Sequence, residues 1–125
     1  MKKIMIRNKR GFTLIEMIAV LAILGILAAL ALPKYFNLQE DAKNSAVQGA
    51  LAEGKARVSQ YAAQYVFSND SWPVAYYNSD LGTAAGDFSL GFSGDNQTVM
   101  ISALGILGGV IGVSSSITVN APGHT

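Results

Sequence analysis

At 125 residues the chain has room for one small domain and an appended segment. It contains no cysteine, which excludes disulfide staples, thiolate catalysis and thiolate metal sites. The formal charge of +1 conceals an asymmetry: Lys2, Lys3, Arg7, Lys9 and Arg10 crowd the first eleven residues, while the remainder sets four basic side chains against eight acids, a balance of −4. A body of that sign lacks the clustered cations that neutralise phosphates, which argues against nucleic acid as a partner.

The basic start, residues 1–11, reads as a leader that stays on the cytoplasmic side of a membrane. It is followed by FTLIEMIAVLAILGILAALAL, residues 12–32, in which only Thr13 and Glu16 are polar. As a helix this run reaches about 30 Å, the thickness of a bilayer's hydrocarbon core. A buried helix of a soluble protein is the bland alternative, but a chain this short has too little other apolar surface to surround it. A secretory signal peptide is a closer competitor, because Ala29-Leu30-Ala31 resembles a signal-peptidase site. The run is longer than a usual signal core, however, and it carries Glu16. A carboxylate costs about 2.5–3.5 kcal/mol at mid-membrane, though less near the interface where Glu16 would lie.

That cost makes Glu16 ask for a cation, and the basic side chains lie only outside the apolar run. Cleavage after Gly11 would create one, the free α-amino group of Phe12, with a reference pKa near about 7.7–8.0. Two such helices, one offset along the other, set the ammonium of one copy against Glu16 of the next and exchange two costly charges for a charge-assisted hydrogen bond.

The residues Lys9-Arg10-Gly11-Phe12-Thr13-Leu14-Ile15-Glu16 resemble the type IV prepilin processing motif. The resemblance implies cleavage by a prepilin peptidase between Gly11 and Phe12, methylation of the Phe12 amine, and subunit assembly through Glu16. It also implies an α+β type IV pilin fold: a long N-terminal helix, its first half membrane-spanning, packed against a small antiparallel sheet head. The next stretch, ALPKYFNLQEDAKNSAVQGALAEGKA, is similar to pilins of the mannose-sensitive haemagglutinin type. Type II secretion pseudopilins share the same N-terminus. The family's C-terminal disulfide loop has no counterpart here.

Gly25 and Pro33 bracket the second half of the apolar run. Proline supplies no N–H to the carbonyl of Ala29 and crowds that turn, and glycine adds a weak point. A slight kink is the bland reading. The resemblance implies that this stretch loosens in a filament. From residue 34 the helical pattern resumes to 67, with Val47, Leu51, Gly54, Val58, Tyr61 and Tyr65 forming one face, expected to pack on a sheet. Ser68 to Pro73 supplies turn and breaker residues.

The remaining residues, 68–125, read as loop and small antiparallel sheet. Residues 74–86 are expected to be a connecting loop. Residues 87–92 alternate, Gly94-Asp95-Asn96 makes a turn and 98–102 is β-prone, which together read as a hairpin. A third strand is expected at 116–119. Residues 103–113, apolar and glycine-rich, read as either a buried strand or a tight turn under the helix.

Chemistry is sparse. Asp70, Asp80, Asp87 and Asp95 lack the compact spacing of an oxygen-ligand calcium loop and read as solvated loop acids. His124 reads as a tail residue rather than a ligand. With one histidine there is no nucleophile–base pair, and no glycine motif cradles phosphate. Neither metal nor cofactor is implied. Phe12, Tyr35, Phe36, Tyr61 and Tyr65 along one helix raise electron conduction as an idea, but aromatics on a packing face are usually core.

The sequence therefore reads as a non-enzymatic pilus subunit. It is expected as a single-pass protein of the bacterial inner membrane with a cytoplasmic N-terminus, then as part of an extracellular homopolymer with adhesion- or motility-type surface functions. Its partners are other copies of itself, the prepilin peptidase, the membrane and an inner-membrane assembly machine. The alternative is a type II secretion pseudopilin forming a periplasmic piston.

Overall fold

A computed structural model describes residues 11–123. The basic side chains of the leader and His124 lie outside the described residues. The chain forms two compact units, the first ending at Leu38 and the second beginning at Gln39.

One helix, α1 (Leu14–Asn69), contributes to both units and ends two residues later than its periodicity predicts. In the first unit it is unbroken through Gly25 and Pro33. Its apolar side chains there are exposed, from Phe12 through Leu38, with no face turned inward. The best eighteen-residue window has a mean hydropathy of 2.7, long and apolar enough to cross a membrane.

In the second unit the same helix becomes one-sided. Val47, Ala50, Leu51, Gly54, Val58 and Ala62 are buried, at helical spacing. The face thus alternates branched aliphatic and small residues, with Tyr61 only partly buried beside it. Four β-strands and a two-residue strand follow: β1 (Ala75–Tyr77), β2 (Ala84–Ala85), β3 (Phe88–Asp95), β4 (Thr98–Gly105) and β5 (Ser114–Asn120). All pairings are antiparallel, in the order β1-β3-β4-β5, with β2 also alongside β3. Strand alternation sends Phe88, Leu90 and Phe92 of β3, and Val99, Ile101 and Ala103 of β4, into one core with the helix. Gly54 makes the close approach work: a Cβ there would stand 2.6 Å from Ile101 Cγ2. Ile101 occupies the space that a side chain would take.

Two expectations are corrected. Residues 74–86 are not a loop. They hold β1, a short helix α2 (Asn78–Leu81) and β2. The aromatic pair Tyr76-Tyr77 pairs with the far end of β3, and the Asn78 side chain then accepts the backbone N–H of Phe92 where β1 stops. Arg57 fastens the segment to the helix. Its guanidinium pairs with Glu53 and donates to the carbonyls of Gly82 at 2.9 Å and Ala84 at 2.6 Å. Residues 103–113 divide: 103–105 complete β4, and the rest is a loop with a 3-10 turn at Gly108–Val110, in which Ile106, Leu107 and Ile111 are exposed while Val110 and Val113 are half-buried against the core. The carbonyl of Asp87 accepts the N–H groups of Ile106 and Leu107, holding the loop against the start of β3.

The hairpin between β3 and β4 turns on Asp95, whose Oδ1 accepts the N–H groups of Gln97 and Thr98, each at 2.8 Å. After β5 the chain returns to Trp72, whose ring lies against Gly123. That residue has φ of +95°, and a Cβ on it would meet the ring at 2.3 Å.

Tyr76 is fully buried, and its hydroxyl has no hydrogen-bond partner among the described residues. Burial, and then Tyr61, raise its phenol above the usual 10.0. Burial, and then Asp80 and Tyr65, raise Tyr61 likewise. A group that holds its proton more tightly when folded contributes its full stability below the unfolded pKa and loses it as pH rises through the folded value. The contribution of these two tyrosines should therefore be constant below about pH 10 and be lost above it. Tyr76→Phe should make that alkaline loss shallower. At neutral pH it should leave stability equal or higher by about 1 kcal/mol, because an unsatisfied buried hydroxyl disappears. Denaturant titrations of the detergent-solubilised chain at several pH values measure both effects.

Candidate functional site: the start of the long helix

Gly11, Phe12 and Thr13 lie outside the helix, and all three are exposed. The residue pair expected from the sequence to be the cleavage site is therefore exposed, non-helical chain just ahead of a helix. Thr13 is the N-cap: its carbonyl accepts the first helical bond, from Met17 N at 3.3 Å. Its hydroxyl accepts the N–H of Glu16 at 3.3 Å, and Glu16 Oε2 accepts the N–H of Thr13 at 2.8 Å. This reciprocal pair is a capping box, in which a threonine and a glutamate three residues apart satisfy two otherwise orphaned amides.

Glu16 thus has hydrogen-bond partners within its own chain. Thr13 was the functional residue missed in the sequence. The signal for it was Thr-x-x-Glu ahead of an apolar run. The carboxylate in the first turn also faces the positive end of the helix dipole. Both effects lower the cost of an acid in apolar surroundings, but neither removes its charge.

Gly11, Phe12 and Thr13 immediately precede the helix, and Glu16 stands in its first turn, bonded back to Thr13. Gly25 and Pro33 lie in unbroken helix further along. Among the described residues no three acids or histidines converge as metal ligands. Asp80 pairs with the Ser79 hydroxyl, and Asp95 holds a turn. Of the aromatics, Tyr35 and Phe36 meet edge-on at 6.4 Å, while Tyr61 stands 6.0 Å from Tyr65 and 5.8 Å from the buried Tyr76. Tyr61 and Tyr76 pack with the head's core.

Because glutamine also completes a capping box, Glu16→Gln should keep the helix start, whereas Thr13→Val should fray it at a cost of about 1 kcal/mol. Amide exchange of residues 13–17 in micelles should be unchanged in the first variant and faster in the second.

Residues 6–32 match the family described as the prokaryotic N-terminal methylation motif, a stretch that includes Gly11, Phe12 and Glu16. The type IV major alpha-pilin of Moraxella bovis is 50% identical over 50 residues, covering 40% of this chain and 31% of that protein. A type IV major pilin of Neisseria gonorrhoeae is 42% identical over 77 residues, covering 62% of this chain and 43% of that protein. A fimbrial protein of Pseudomonas aeruginosa is 29% identical over 113 residues, covering 82% and 70%. The chain spans about a third of the length of the first of these relatives. No solved structure matches it. The methylation motif, the pilins among its relatives and the long apolar helix followed by an antiparallel sheet make this chain similar to the type IV pilins, a structural family and not an enzymatic one.

Proposed function

We propose that the chain is a structural subunit of a type IV pilus, held in the inner membrane by its N-terminal helix, with its N-terminus cytoplasmic, until it is polymerised. One observation carries this reading: a membrane-length apolar stretch at the start of α1, exposed on every side, with a single carboxylate in its first turn just after the exposed, non-helical Gly11-Phe12 junction. An apolar helix without a covered face is stable only in lipid or against its own kind. The same surface serves both states, since burying the stems of many copies against one another replaces lipid contacts with protein contacts.

Prepilin peptidase cleaves between Gly11 and Phe12 and the new Phe12 amine is methylated. Methylation leaves the amine basic, so it remains a cation for Glu16 of an adjacent copy. That pair fixes the axial offset between stems, because it is the one place in the apolar run where sliding would strand two charges. Residues Gly25 to Pro33 loosen when stems pack in the fibre. An inner-membrane assembly machine extracts the subunit, and the finished filament is extracellular and serves adhesion- or motility-type functions.

Gly11→Val should leave an uncut precursor, seen by mass spectrometry of the membrane fraction, and should yield no fibres. Glu16→Gln should be inserted and cleaved normally but should also yield no fibres in sheared surface material, since it retains the cap and loses the charge. Normal filaments from Glu16→Gln would remove the ion pair from the mechanism. Export failure on deletion, with no surface fibre in the wild type, would identify a type II secretion pseudopilin instead.

A further inference from the structure

β5 is the last strand of the sheet, paired with β4 on one side only. The N–H of Gly105 donates to the carbonyl of Val113 and that of Ala121 to the carbonyl of Gln97, each at 2.8 Å, and these two bonds fix the phase of the ladder at its ends. Bonded pairs alternate along an antiparallel ladder. Ser115, Ile117 and Val119 therefore turn their backbone groups to β4, while Ser114, Ser116, Thr118 and Asn120 turn theirs outward. Among the described residues nothing bonds to these outward groups. Sheets commonly blunt such an edge with lysine, proline or a bulge. Here the register runs without a slip, no proline lies in the strand, and from Asn96 to Gly123 there is no Asp, Glu, Lys or Arg. Beside the edge lies a groove of about 400 Å3, lined by Ser102, Ala103 and Leu104 of β4 and by Ser114, Ser115 and Ser116 of β5. Its polar lining is hydroxyl and backbone, without a charge.

We propose that the free edge of β5 takes up an extended segment of another protein as one more strand of the sheet, with a neutral hydrogen-bonding side chain of that segment in the serine-lined groove. A row of outward N–H and C=O groups matches the spacing of an extended backbone, which is how sheet edges bind peptides. Strand alternation then sets the side chains of the incoming segment. On the core side they continue the half-buried row of Ser115, Ile117 and Val119 and are apolar; on the other side they join the exposed Ser114 and Ser116 and are polar. The unit from Gln39 onward sets three basic side chains against seven acids, so basic residues suit the ends of the segment while its middle stays uncharged. A second copy is the poorer occupant, because β5 against β5 would close a two-fold pair of heads that carry the same negative balance. The site belongs to the head, and its test needs no fibre.

The probe is a synthetic peptide of the length of β5 that alternates valine with asparagine between terminal lysines. Its control carries N-methyl groups on the amides that would face the strand. Titrated into the isotope-labelled, detergent-solubilised chain, the probe should shift the amide signals of Ser114, Ser116, Thr118 and Asn120 and slow their exchange with solvent, and the control should do neither. Thr118→Pro removes one outward donor and leaves the bonds to β4 in place, so the variant should keep its other amide signals and bind the probe about tenfold more weakly. If that variant does not fold, Ser116→Lys, which guards the edge with a charge, should weaken the probe likewise. No shift at millimolar probe, equal binding of the control, undiminished binding by the folded variant, or shifts confined to other elements would each overturn the proposal. Protection of the same amides that grows with chain concentration in the absence of probe would put a second copy on the edge and overturn it too.

Discussion

A carboxylate set into an apolar stem is costly in any surroundings that lack a partner, and the first turn of α1 is organised around meeting that cost. The Thr13 amide and hydroxyl take up the Glu16 side chain and backbone within one copy. Hydrogen bonds disperse the charge without cancelling it. A single copy can therefore tolerate Glu16 near a membrane interface, while a neighbouring α-ammonium still has electrostatic energy to offer. This difference, between a solvated charge and a neutralised one, is what would drive exchange between lipid-embedded and polymerised states in the reading advanced above.

The head follows a different logic. Its core joins a helix face of Val47, Ala50, Leu51, Gly54, Val58 and Ala62 to the large apolar side chains of the sheet, and the bare Gly54 leaves room for Ile101. Strong burial on one side leaves the opposite side of the helix free for Glu53, Lys55 and other polar groups. Arg57 reaches from the helix edge to two carbonyls, satisfying backbone acceptors that a short strand such as β2 leaves open. Charged side chains thus organise the margins of the head, and apolar contacts its centre.

Much of this was legible in the chain itself because the strongest signals are periodic. The apolar run, the helical face through Val47, Leu51, Gly54 and Val58, and the alternation of Phe88, Leu90 and Phe92 each repeat with the spacing of their element. What escaped notice was short or tertiary in origin. A three-residue strand such as β1 has no period to read, and it exists because β3 offers it a partner. The loop after Gly105 looked buried because it is apolar, yet composition carries no information on whether a neighbour is present to cover it. At the candidate site the glutamate was conspicuous by its polarity, whereas its cap partner Thr13 looked like an incidental hydroxyl.

The contact of Trp72 with Gly123 carries a consequence for how the head is held closed. A ring lying on bare backbone is a fastening with no redox chemistry: thiol reagents cannot undo it, and no oxidant is required to make it. Its strength instead follows the temperature and solvent dependence of apolar burial. The head's last strand should therefore be loosened by denaturant or cold and left untouched by dithiothreitol.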